Sequence, residues 1–157
     1  EMTDSRSRTW RANPSVVWNV LGGLSTAGGY GRSIREDGRP GSQSTSQNDE
    51  VSADLAKAFK LPADWKAKSD LRTRFSYQYT HGQAYVLNTA SETNRSRLSD
   101  NGRRAFNVNA DTDFADNLTG SLTMSRVVSF DNNFNRRFTQ TVVTAVLNIR
   151  FFAGELR

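Results

Sequence analysis

From Trp65 onward the chain separates apolar from polar residues at every second position. Odd positions read Trp65, Ala67, Ser69, Leu71, Thr73, Phe75, Tyr77 and Tyr79, while the even positions read Lys66, Lys68, Asp70, Arg72, Arg74, Ser76, Gln78 and Thr80. A helix would mix these two sets around its circumference; a strand puts them on opposite faces. The period returns on even positions as Phe106, Val108, Ala110, Thr112 and Phe114, opposed by Asn107, Asn109, Asp111 and Asp113. It returns again as Leu118, Gly120, Leu122, Met124, Val128 and Phe130, with Arg126 breaking the apolar side. A charge there is expected near a membrane interface, where it costs little. The last run has Val143, Ala145, Leu147, Ile149 and Phe151 on one side, and Val142 and Val146 mixed with polar residues on the other.

These patterns predict six strands, at about 15–30, 50–60, 65–87, 103–115, 118–130 and 137–153. The second, with Val51, Ala53, Leu55 and Phe59 aligned, also reads as a short helix, because Ala and Lys favour that state. Long polar loops are expected at 31–49 and 88–102, rich in Gly, Ser, Asn and Arg. Short turns are expected at Leu61–Asp64 and Ala115–Asn117. In an up-and-down meander this order puts the longer loops at one end and the tight turns, with both chain ends, at the other. Outer-membrane barrels have that asymmetry. The fold class expected is therefore all-β, an antiparallel meander forming the C-terminal part of a larger outer-membrane barrel. Six strands are fewer than the smallest closed bacterial barrels contain, and the polar start at Glu1 without a signal pattern agrees with a segment of a longer chain.

Composition sharpens this picture. Hydrophobic residues make up 36% and mean hydropathy is -0.66, low for a soluble core but natural when each strand shows one face to lipid and one to water. No run approaches the roughly 20 apolar residues of a membrane helix. Cysteine is absent, which excludes disulfides and thiolate metal sites. The net charge of +5 raises nucleic acid as a partner, but Lys and Arg are dispersed among Asp and Glu, so none is expected.

The polar positions Lys66, Lys68, Arg72, Arg74, Asn107, Asn109, Asp111 and Asp113 are expected to face a lumen, with Asp111 and Asp113 pairing across strands to Arg72 or Arg74. Trp18, Trp65, Phe114, Phe151 and Phe152, together with Trp10, are expected at the periplasmic interface. Phe130 and Phe138, with Phe134, are expected at the outer one. Arg103-Arg104 and Arg136-Arg137 open strands at the outer rim, where lipopolysaccharide phosphates or plain solvent would meet them. Gly28-Gly29-Tyr30-Gly31 lacks the Lys-Ser/Thr of a phosphate loop and reads as strand. Asp111, Asp113 and Asp116 lack the Gly and distal Glu of a calcium loop. With one histidine, His81, no nucleophile–base–orienter set can be assembled, so neither enzyme activity nor a cofactor is expected.

Several phrases resemble the C-terminal region of SprA-type proteins: Phe59-Lys60-Leu61-Pro62, Ser69-Asp70-Leu71-Arg72, the run Leu118–Phe130, Asn135-Arg136-Arg137-Phe138-Thr139-Gln140-Thr141, and Asn148-Ile149-Arg150-Phe151-Phe152. The resemblance covers most of the chain from about Val51. It implies the outer-membrane translocon of type IX secretion and gliding motility, located in the outer membrane of a Gram-negative bacterium. The implied partners are outer-membrane lipid, the remainder of the same barrel, secreted protein cargo and plug subunits. A porin- or receptor-type barrel, a soluble basic β-domain binding nucleic acid or surface ligands, and an adhesion module stand as alternatives.

Overall fold

A computed structural model describes residues 6–12, 14–20, 22–39, 42–88 and 95–150. They form one open antiparallel sheet with a single short 3₁₀ turn. The strands are β1 (Arg6–Ala12), β2 (Ser15–Val20), β3 (Leu24–Arg39), β4 (Ser42–Phe59), β5 (Leu71–Asn88), β6 (Arg95–Ala115), β7 (Leu118–Asp131) and β8 (Arg136–Ile149). From β3 onward each strand pairs with the next, while β1 and β2 both lie against the same edge of β3.

β1 and β2 are one edge strand interrupted by proline. Ala12 faces Arg32 and Ser15 faces Gly29, so the register runs unbroken past Pro14. The Pro14 carbonyl still accepts from Tyr30 N at 3.1 Å, but the ring removes a donor, which an edge tolerates. The sheet is therefore seven strands wide.

The residues between 15 and 49 depart most from expectation. The strand expected at 15–30 is a hairpin, turning through Gly22 (φ 91) and Gly23 (φ 74), a left-handed geometry that glycine adopts without a Cβ penalty. The loop expected at 31–49 is strand: it is the outer half of β3 paired to the first half of β4, from Arg39↔Ser42 down to Tyr30↔Val51. Part of the loop expected at 88–102 is strand as well, since β6 begins at Arg95. Apart from Ile34 and Leu98 these stretches are polar on both faces, so backbone pairing holds them without an apolar signature. The strand reading of 50–60 holds and the helical one does not.

The connection after β4 is longer than the short turn expected. Pro62 opens a 3₁₀ turn, Ala63–Trp65, which Lys66 closes in the left-handed region (φ 48). The following residues dock on the end of β6: Lys68 N and Ser69 N donate to Asp113 O at 2.8 and 3.2 Å, and Asp113 N donates to Ser69 Oγ at 2.8 Å. Lys66 and Lys68 thus sit in this connection and not on a strand face. The sorting of long loops to one end is not observed either. The end that carries Gly22-Gly23, Lys66 and Asp116-Asn117 holds the longest described connection. The other end is distinguished by tall strands: β4, β5 and β6 have 18, 18 and 21 residues against 14 each in β7 and β8. Because Arg6 pairs with Gly38 at that tall end, the first described strand starts opposite to the end where β8 finishes.

Among the described residues the sheet has no second layer. Among the described residues only Ala105, Asp100 and Thr112 are buried, and every residue of β8 is exposed.

Candidate functional site

The register sorts side chains into two unlike faces. On one face the pairs Leu55↔Phe75, Phe75↔Val108, Val108↔Met124 and Met124↔Val143 form a continuous row across β4–β8. The rows above and below add Ala53, Tyr77 and Phe106, then Leu122 and Ala145. Val16, Trp18 and Val20 continue the band on β2. The apolar stretches on the central strands (Val51–Phe59, Leu71–Tyr79, Phe106–Phe114) match the roughly 9–11 residues with which a tilted strand crosses a bilayer. The band is uncovered: Trp18 is 68% exposed, Val143 62% and Leu147 61%.

Aromatic and charged residues mark its borders. Phe59 and Phe114 lie toward the lower end, where the Lys57 ammonium sits 5.0 Å from the Phe59 ring centroid, whereas Trp18, expected at that border too, stands in the middle row with Leu55 and Phe75. The Phe114 ring covers Gly120, where a Cβ would come within 2.8 Å of Cε2. At the upper border Tyr79 and Phe130 lie 6.4 Å apart, and the Arg104 guanidinium sits 5.6 Å from the first ring and 5.7 Å from the second. Trp65 lies in the lower connection.

Two further aromatic expectations are corrected. Trp10 pairs with Ile34 at the tall end, because it belongs to an outer extension of the edge strand that the polar residues around it conceal. Phe138 pairs with Ser129, which puts it on the polar face, opposite to Phe130. Phe151 and Phe152 lie outside the described residues.

The opposite face is polar and ion-paired. Arg72 Nε donates to Asp111 at 2.7 Å and its Nη2 lies 3.4 Å from Asp113. Arg74 pairs with Asp54 at 3.0 Å, and Gln78 donates to Glu50 at 2.9 Å. Lys68 pairs with Asp116. Asn107 and Asn109 face Ser76 and Arg74 in register. The expected pairing of Asp111 and Asp113 is therefore present with Arg72, while Arg74 takes a partner that sequence reading missed. Asp54 was legible, since aligning Val51, Ala53 and Leu55 on one face leaves it on the other. On β7 this face shows Thr119, Ser121, Thr123, Ser125 and Ser129, small hydroxyls flanking the charged lane.

Above the band both faces turn polar. Asp49 accepts from Tyr30 Oη at 3.0 Å and Gln47 Nε2 at 2.7 Å. Arg32 Nε lies 3.0 Å from the same carboxylate without hydrogen-bond alignment. A second cluster centres on the buried Asp100, reached by His81 Nε2 at 2.7 Å, Arg97 Nη1 at 2.8 Å and Asn132 Nδ2 at 2.9 Å. It ties β5, β6 and the β7–β8 turn together. His81 is thus a strand-interior residue of β5 and not a strand-end one. The hydrogen bond from His81, helped by Asn132 and the Arg97 charge, outweighs burial and holds the Asp100 carboxyl below its ordinary value.

A depressed folded value means the cluster stabilises the fold above the ordinary carboxylate range near pH 4, and that contribution is lost as pH falls through the depressed value. Thermal unfolding between pH 7 and 2 should show an acid-side loss of stability that is smaller in Asp100→Asn. An unchanged acid limb in the variant would remove Asp100 from the account.

No protein-family model, curated protein or solved structure matches this chain.

Proposed function

We propose that the chain is a wall segment of an outer-membrane β-barrel, and that its polar face lines a protein-export conduit of the SprA kind. One observation carries the membrane reading: a single-layer sheet with a continuous, uncovered apolar face backed by an ion-paired polar one. In water each large apolar side chain left exposed forgoes about 1.5–3 kcal/mol of burial, and across this band no soluble sheet would leave that uncollected. Lipid on one side and a wet lumen on the other satisfy both faces at once.

The edges support a larger barrel. β8 exposes apolar residues on both faces, with Val143 62% and Val146 42% exposed, and its outer backbone groups have no partner strand among the described residues. Such an edge invites pairing, and we assign that place to further strands of the same barrel.

The export reading rests on the resemblance, whose phrases fall at the end of β4, the start of β5, along β7 and in β8. The character of the polar face supports it. The guanidinium groups of Arg72 and Arg74 are neutralised by neighbouring carboxylates and its hydroxyls are small, so this part of the wall offers a passing protein little to adhere to. Gating would come from plug subunits and other parts of the barrel. A porin-type lumen is the second reading, to be separated by whether loss of the protein abolishes surface delivery of secreted proteins or only uptake of small solutes.

The tall polar end is placed outside the cell. In Gram-negative cells the whole protein should fractionate with the outer membrane. A cysteine at Asn133 should react with an impermeant maleimide in intact cells, and one at Asp116 only after the cells are opened. Recovery as a soluble monodisperse protein would defeat the membrane reading and favour a β-domain whose apolar face meets a second sheet.

A further inference from the structure

At the upper border of the apolar band the register divides five arginines of β6–β8 by face. Arg103 pairs with Thr80 and Ser129, and Arg136 with Asp131, on the polar side. Arg104, Arg126 and Arg137 lie on the apolar side, facing Tyr79 and Val128, Phe106 and Thr141, and Phe130. Arg126 is the diagonal neighbour of Arg104, and such positions lie about 7–8 Å apart, within reach of long side chains.

Five arginines elsewhere on the sheet, Arg32, Arg35, Arg72, Arg74 and Arg97, each lie against a carboxylate. Arg104, Arg126 and Arg137 have no carboxylate within ion-pair distance among the described residues. Arg104 is pinned between Tyr79 and Phe130 by its ring contacts, which orients the fork and leaves its N–H donors unused. Arg126 starts one step inside the band, from where its stem can lie along apolar surface while the head rises toward Arg104. Three positive charges without a carboxylate partner, gathered at the upper border of a largely apolar face, repel one another, and a bound anion would relieve that repulsion.

We infer that Arg104, Arg126 and Arg137 hold the phosphate of an anionic outer-leaflet lipid whose acyl chains lie on the band below. This rests on the barrel-wall reading above. Guanidinium forks match phosphate oxygens in pairs, unlike the point charge of lysine. Met124, Leu122 and Val143 lie on the same face below the three arginines, so one molecule would meet the charge and the apolar surface together. A free anion would use only the first. Each arginine near an anionic membrane surface strengthens attachment roughly fivefold.

The test uses the whole protein in nanodiscs of zwitterionic lipid, titrated with diphosphorylated lipid A or its dephosphorylated form and read by native mass spectrometry. The wild type should retain the phosphorylated lipid at least about tenfold more strongly. Arg104→Gln/Arg126→Gln/Arg137→Gln should lose that preference while keeping its strand content by circular dichroism. Arg103→Gln/Arg136→Gln, removing two charges from the other face, should keep it, and Arg137→Lys should lose part of it. Insertion without preference, or equal loss in the Arg103/Arg136 variant, would overturn the lipid site and leave the wall reading standing. Inorganic pyrophosphate competing as well as the lipid would reassign the site to a free anion. Failure to insert at all would overturn the wall reading, and this inference with it.

Discussion

Arginine in place of Val108 should destabilise the bilayer-embedded sheet by about 2–4 kcal/mol, the cost of such a side chain on a lipid face at mid-depth. Val108 sits in the middle of the apolar stretch of β6, between Phe75 on β5 and Met124 on β7, and is 40% exposed on that face. The same change at Asn107 or Asn109 puts the guanidinium beside Ser76 or Arg74 on the wet face. There the expected cost is below about 1 kcal/mol, the scale of repulsion between exposed like charges. Urea unfolding in lipid vesicles measures all three. Equal costs at adjacent positions would contradict the assignment of faces, and a reversed order would exchange lipid and lumen.

The second large effect belongs to Gly102. It lies between His81 on β5 and Phe130 on β7. A Cβ built there would approach Phe130 Cζ and the Thr80 backbone oxygen to 2.5 Å each. The ring can swing aside, but a carbonyl held in the ladder cannot, so Gly102→Ala should cost about 1–3 kcal/mol, as overpacking does. Adding Phe130→Ala relieves only the ring and should not restore stability. Full restoration in the double variant would show that Thr80 is free to move. Because Gly102 adjoins the Asp100 cluster, proteolysis of the outer halves of β5 and β6 should accelerate more than that of β8.

Where the alternation was audible in the sequence, and where it was silent, has one physical cause. Phe75, Tyr77 and Tyr79, Phe106 to Phe114, and Leu122 to Phe130 alternate because one face needs apolar residues and the other does not. Their faces, and the pairing of Arg72 with Asp111 and Asp113, followed from that period alone. Arg32–Arg39 and Ser42–Asp49 carry no such demand, since both faces of these segments are polar but for Ile34, so a paired ladder there has the composition of a loop. The hairpin at Gly22-Gly23 did leave a signal, because a Gly-Gly pair between strand-like runs is a turn signature. The continuous Val and Leu around it masked the break. Lys66 and Lys68 obeyed the parity of β5 on paper, but Pro62 and the left-handed Lys66 take the chain out of the strand before Leu71. Asp100 could not be foreseen as buried, because its partners come from β5, from within β6 and from the β7–β8 turn.

The arginines show the same limit in a sharper form. Adjacent pairs such as Arg103-Arg104 look equivalent in the sequence, and only the register separates the one beside Thr80 from the one over Tyr79. Knowing the face changes the expected chemistry from solvation to lipid contact.

The central claim is that odd positions of β5 face lipid and even ones face a lumen. Because the chain has no cysteine, single cysteines at Phe75, Ser76, Tyr77 and Gln78 can each carry an environment-sensitive fluorophore without background. In vesicles with brominated acyl chains, strong quenching at 75 and 77 with little at 76 and 78 is the predicted result. Uniform quenching, or none at any position, would contradict the account.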